Sequence, residues 1–160
     1  MQRFTKIALA CTALAGLAGT AFAEGHMAPE VARAIEARQA HMTLYAYNLG
    51  PLGGMAQDKM PYDAEMAAAH AANLASLAAM TQTSYWPQDS DGEMFEETKA
   101  LPAIWEDADG FAAAEQALVE ATAALAEAAG TDLDALRAAF GPVGQACGAC
   151  HRTYRARDDG

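Results

Sequence analysis

The strongest constraint on this chain is a row of residues near its C-terminal end: Leu133, Leu136, Phe140, Val143, Cys147, Cys150 and Tyr154, spaced alternately by three and four. A helix of 3.6 residues per turn brings these positions onto one face, whereas a strand would scatter them over two. Such a stripe has to be covered by other helices. A second row, Ile104, Phe111, Leu118 and Leu125, repeats every seven residues, and Ala114, Ala121 and Ala128 follow its last three members at a spacing of three. Large and small side chains therefore alternate along that face, as close helix packing requires. Alanine is dense, β-branched residues are sparse, and 52% of the 160 residues are apolar, which suffices for one compact core.

Punctuation cuts the chain into four helical pieces. The first starts near Pro29, a favourable first helical residue, and is expected to loosen around Gly50-Pro51 and Gly53-Gly54. The second follows Pro61-Tyr62, with Asp63 as its cap, and reaches about Thr81. A looser, acidic stretch runs from Tyr85 to about Leu101. The third opens near Pro102 and stops at Gly130, and the fourth is capped by Thr131 or Asp132 and continues almost to the end. Pro142 within it should bend the helix or remove one hydrogen bond. Four pieces of similar length predict an all-α antiparallel four-helix bundle.

Residues 1–23 stand outside this bundle. Arg3 and Lys6, the apolar run Ile7 to Ala18 and the small-x-small site Ala21-Phe22-Ala23 read as a cleaved export signal, leaving one domain over residues 24–160. No later apolar run approaches the roughly 20 residues of a membrane span. Net charge is −11, and loss of the two basic signal residues makes the domain more acidic still. A nucleic-acid backbone or an anionic membrane is thus an unfavourable partner, whereas a basic protein partner suits the charge.

After cleavage two cysteines remain, in Cys147-Gly148-Ala149-Cys150-His151. A disulfide between residues three apart closes too small a loop to stabilise a domain of this size. C-x-x-C-H is the attachment motif of c-type haem: both sulfurs share one helical face and reach two vinyl groups, and the adjacent imidazole meets the iron. Haem attachment also takes place outside the cytoplasm, in agreement with the export signal, and places the protein in the periplasm. A redox dithiol is the competing reading, but it favours a helix N-terminus and a strand-rich fold. Zinc lacks two further ligands at suitable spacing.

One covalent haem c also accounts for a charge in the first helix, whose inward stripe reads Val31, Ile35, Arg38, Met42, Tyr45. A buried unpaired guanidinium is costly, and a haem propionate would supply an anion to Arg38, with Gln39 adding a hydrogen bond. Met42, one turn on, either ligates the iron as its sixth ligand or packs over an open position. His41 should point about 100° away from Met42, towards solvent. His70 lies in line with Leu74 and Leu77 as a half-buried side chain, and the acids from Asp89 to Glu97 read as a solvated loop. No catalytic pair is evident, so substrate turnover is not expected.

Arg38-Gln39-Ala40-His41-Met42-Thr43-Leu44, Gly50-Pro51-Leu52, Pro61-Tyr62-Asp63, Ala103-Ile104-Trp105, Ala138-Ala139-Phe140-Gly141 and Cys147 through Arg155 together resemble the class II cytochromes c, specifically cytochrome c prime. The resemblance spans essentially the whole of residues 24–160. It implies a four-helix bundle, often homodimeric, with thioether bonds at Cys147 and Cys150, His151 as axial iron ligand, Arg38 and Gln39 near a propionate, and Met42 on the distal side. It also implies that Thr98 approaches the haem edge and that Arg155 lies against the proximal face. Two functions follow from it: binding of small gases such as nitric oxide or carbon monoxide, or electron transfer through a low-spin, Met42-ligated iron.

Overall fold

The computed structural model describes residues 27–157, so the expected export signal lies outside the described residues. Five α-helices follow in order: α1 (Pro29–Ala56), α2 (Ala64–Ala78), the short α3 (Ala103–Glu106), α4 (Ala108–Ala128) and α5 (Leu133–Tyr154). The four long ones form the predicted bundle. Each of α1, α2, α4 and α5 packs on the next, and α5 returns to α1, closing the ring. A 3-10 turn at Thr83–Tyr85 lies against α1.

Capping sets most of the boundaries. Asp63 accepts from Met66 N–H at 2.9 Å and Asp132 from Ala135 N–H at 2.8 Å, which stops the chain entering α2 and α5 from leaving donors unpaired. The third expected helix is split at Asp107. Its side chain caps α4 by accepting from Gly110 N–H at 3.2 Å, and its other oxygen accepts from the Tyr154 hydroxyl at 2.8 Å. The same carboxylate therefore begins α4 and holds the end of α5.

One of the two helical prolines departs from expectation and the other follows it. α1 does not loosen at Gly50-Pro51 but continues to Ala56, because Leu52 and Met55 are completely buried in the bundle core. Burial of that face outweighs the local preference to stop. α5 likewise runs through Pro142, which is on the solvent side together with Ala138, whose carbonyl the ring leaves without its helical donor. Arg137 Nε donates to the Ala56 carbonyl at 2.9 Å and the guanidinium pairs with Asp58 at 2.5 Å, so α5 closes the end of α1.

The main core joins Leu52, Met55, Leu74, Leu125, Leu136 and Val143 from all four long helices. A separate cluster gathers Ala100, Ile104 and Tyr154, with Trp86, Phe111 and Cys150 against it. Phe111 meets Trp86 and Tyr154 edge-on, with ring centroids 5.0 and 5.2 Å apart.

At Gly53 a Cβ would stand 3.3 Å from the Phe140 ring, so the α1–α5 contact there is tight and a larger side chain would have to push the ring aside. Gly53→Leu is expected to lower stability by about 1–3 kcal/mol through overpacking. Chemical denaturation checks this, and an unchanged midpoint would show that α1 and α5 are not in such close contact.

Candidate haem cavity

A cavity of about 450 Å³ separates the two hydrophobic clusters, and members of both form its walls. Arg38, Gln39 and Met42 reach it from α1, Thr98 from the long loop, and Cys147, Cys150 and His151 from α5. All seven residues singled out in the sequence thus border one space. Arg155 borders it too.

Arg38 is 3% exposed yet far from unpaired. Its Nη1 donates to the Tyr85 carbonyl at 3.2 Å and to Ser90 Oγ at 2.9 Å, while Nη2 donates to the Ser90 carbonyl and to Thr98 Oγ1 at 2.8 Å. Four of the five guanidinium N–H donors are engaged by the loop. The Trp86 ring lies 4.8 Å from the guanidinium carbon. Burial draws the Arg38 pKa down to about 10, against the opposing influence of Asp91, so the group stays charged at neutral pH.

The acidic stretch is correspondingly not a freely solvated loop. Ser90, Asp91 and Thr98 are buried, and Asp91 accepts from Glu93 N–H at 2.8 Å. Gly92 donates its N–H to the Ala100 carbonyl at 2.8 Å, and a Cβ there would stand 2.8 Å from the Thr98 carbonyl. Only glycine permits that approach, which delivers Thr98 to Arg38. Gln39 Nε2 donates to the Glu97 carbonyl at 2.6 Å, a second tie between α1 and this loop.

On α5, burial raises the pKa of both thiols, that of Cys150 to about 11 with Glu115 and Cys147 adding to the effect. A redox dithiol would need the reverse shift, towards thiolate. Burial, and then the neighbouring Arg155, lowers the pKa of His151, so its imidazole is neutral at pH 7 with a lone pair free to ligate a metal.

Residues 33–155 match the family described as Cytochrome C'. The chain belongs to the cytochrome c' family. Cytochrome c-554 of Cereibacter sphaeroides is 47% identical over 131 residues, covering 82% of this chain and 86% of that protein. The solved cytochrome c' of Rhodobacter sphaeroides superposes with a TM-score of 0.78 at 40% identity, over 80% of this chain and 98% of that one. Cytochrome c' of Alcaligenes xylosoxidans, in a variant solved as a nitric oxide complex, gives 0.72 at 34% identity over 82% and 99%; another variant was solved with carbon monoxide bound. Cytochromes c' bind one covalently attached haem c, and so does this chain.

The cavity fits that group on its own chemistry. Two neutral thiols share its wall with a neutral imidazole, and a cation stands at its rim. Thr98 Oγ1 accepts from Arg38 Nη2 and, at 3.2 Å, from Ala100 N–H. Both lone pairs are used, and the hydroxyl proton remains to be donated to an anionic oxygen in the cavity.

His41 is the clearest correction. It is 3% exposed, with its ring edge-on to Tyr45 and Tyr85 at 4.8 and 5.8 Å. The inward stripe of α1 drifts across the 3.5-residue spacing, through Arg38, His41, Tyr45 and Asn48, and the 3-10 turn covers the side on which His41 projects. His70 is half-buried as expected, with its Nδ1 3.0 Å from Asn48 Oδ1. Met42 is 39% exposed at the cavity edge. Glu115 and Gln82 also line the cavity without having been singled out, and Tyr45 of the inward α1 stripe lines it with them. Glu115 lies four residues after Phe111 and three before Leu118, so the α4 stripe already carried its signal.

Arg38→Met keeps the stem but strands the carbonyls of Tyr85 and Ser90. A loss of about 2–4 kcal/mol is expected in denaturant unfolding, together with faster proteolysis between residues 86 and 97. A change below about 0.5 kcal/mol would show that the loop does not depend on the guanidinium.

Proposed function

We propose that this protein is a periplasmic, non-enzymatic haem c protein that binds small gases such as nitric oxide or carbon monoxide and passes single electrons. The observation that carries this reading is the convergence of Arg38, Gln39, Met42, Thr98, Cys147, Cys150 and His151 on one cavity of largely apolar lining. Cys147 and Cys150 supply the thioether sulfurs and His151 the axial nitrogen. Arg38, Gln39 and Thr98 form the polar rim that receives the propionates. Haem c supplies an iron that takes a diatomic gas as ligand and changes oxidation state by one electron. The apolar side chains of Leu49, Phe111 and Leu118 keep the remaining space narrow and exclude larger, hydrated ligands. Bound gases in the Alcaligenes xylosoxidans relatives support the ligand class.

A second reading rests on Met42, the one methionine among the cavity-lining residues. Its thioether can close the sixth position and make electron transfer the main role. Optical and EPR spectra of protein matured with haem separate the two. A high-spin ferric spectrum, with haem that survives denaturing electrophoresis and a ferrous form that takes up carbon monoxide, is expected. A low-spin spectrum with a methionine-to-iron charge-transfer band would instead assign Met42 as ligand. Haem lost on denaturation would overturn the attachment at Cys147 and Cys150.

The acidic surface suits a basic redox partner. Leu44 and Tyr47 on α1 and Met66 on α2 are exposed, and the Tyr47 ring reaches His70 across the helix pair at 6.0 Å, so one apolar patch spans α1 and α2. This supports a homodimer. Sedimentation velocity should show a dimer that Tyr47→Glu splits; a monomeric unmodified protein would refute it. Among the described residues no helix is long and apolar enough to cross a membrane.

A further inference from the structure

The cavity wall holds a buried polar atom that none of the roles above employs. Tyr45 is 7% exposed and borders the cavity, and its hydroxyl is buried without a hydrogen-bond partner. Gln82 is near enough to lower the Tyr45 pKa as a donor to the phenol oxygen does, which leaves the hydroxyl proton without an acceptor. A buried hydroxyl proton without an acceptor is costly, so its retention calls for a partner supplied from outside the chain.

That partner is not a propionate. The rim formed by Arg38, Gln39 and Thr98 marks the propionate end, and Tyr45 stands seven residues beyond Arg38, about 10 Å along α1. Its surroundings are those of the opposite end, with Cys147 and Glu115 close enough to influence its ionisation. Side chains on a helix lean towards its N-terminus, which carries the Tyr45 ring back to the level of Met42. Burial is the main cause of a phenol pKa of about 12, so the group is a donor throughout the physiological range.

We propose that the Tyr45 hydroxyl is a distal hydrogen-bond donor, which meets the outer atom of a diatomic ligand held in the cavity and adds to discrimination among gases. The inference rests on the gas-binding reading above. The ferrous carbonyl of the holo-protein tests it through the C–O stretching frequency. In the unmodified protein the stretch should shift between H₂O and D₂O. In Tyr45→Phe it should rise in frequency and lose that isotope sensitivity, and carbon monoxide should dissociate roughly two- to tenfold faster, the loss of one neutral hydrogen bond. Should Tyr45→Phe not retain haem, 3-fluorotyrosine at position 45 keeps the shape while strengthening the donor, and should lower the frequency. An isotope-insensitive stretch in the unmodified protein, or the same frequency in either variant, overturns the proposal while leaving gas binding intact. A protein that forms no carbonyl overturns both.

Discussion

The buried guanidinium of Arg38 is the interaction on which the site depends. A charge taken into a helix bundle is tolerated only when its donors are met and its field is balanced. Here the balance comes from backbone and hydroxyl oxygens of a single loop, together with Asp91 and the face of Trp86. The loop has no regular structure of its own beyond the turn at Thr83–Tyr85, so the cation organises it. In doing so it makes the loop the fourth wall of a cavity whose other walls are α1, α4 and α5.

This arrangement links stability to function in one residue. The contacts that satisfy Arg38 bring Thr98 and Trp86 to the cavity, and Gln39 fixes the same loop from the next position on α1. At the far end of the loop, Leu101 N–H donates to the Tyr154 carbonyl at 3.0 Å and Ala156 N–H to the Lys99 carbonyl at 2.8 Å. The segment around Thr98 is thus held between α1 and the end of α5, the helix that carries Cys147, Cys150 and His151. A shift at either anchor reaches the cavity rim through few intermediaries.

The sequence made the bundle legible because its signals were long and periodic. The α5 stripe, the seven-residue repeat of α4 and the caps at Asp63 and Asp132 all point to the helices observed. The C-x-x-C-H motif located the cavity because both sulfurs and the imidazole depend only on local helical spacing. What was not legible depended on distant partners. His41 is covered by a turn more than 40 residues away, α1 persists past Pro51 because of core contacts, and Ser90 has no pattern that announces a ligand to Arg38. The expectation that Arg38 needed an anion was sound about the cost of a buried charge. It missed that neutral carbonyl and hydroxyl oxygens from the loop could meet most of that cost.

The cavity is polar at one end and apolar along most of its length, and this asymmetry fixes how an amphiphilic macrocycle can enter. In the proposed function carboxylates would take the end with Arg38 and Thr98, where a cation and a hydroxyl proton can meet them, and the ring would take the walls of Leu49, Phe111 and Leu118. Cys147 and Cys150, three residues apart on α5, would then retain the group in the orientation selected by polarity. On that reading covalent attachment and electrostatic selection would be independent constraints on the same placement. Each is supplied by a different helix, and the bundle's main task is to hold α1 and α5 at the separation that satisfies both.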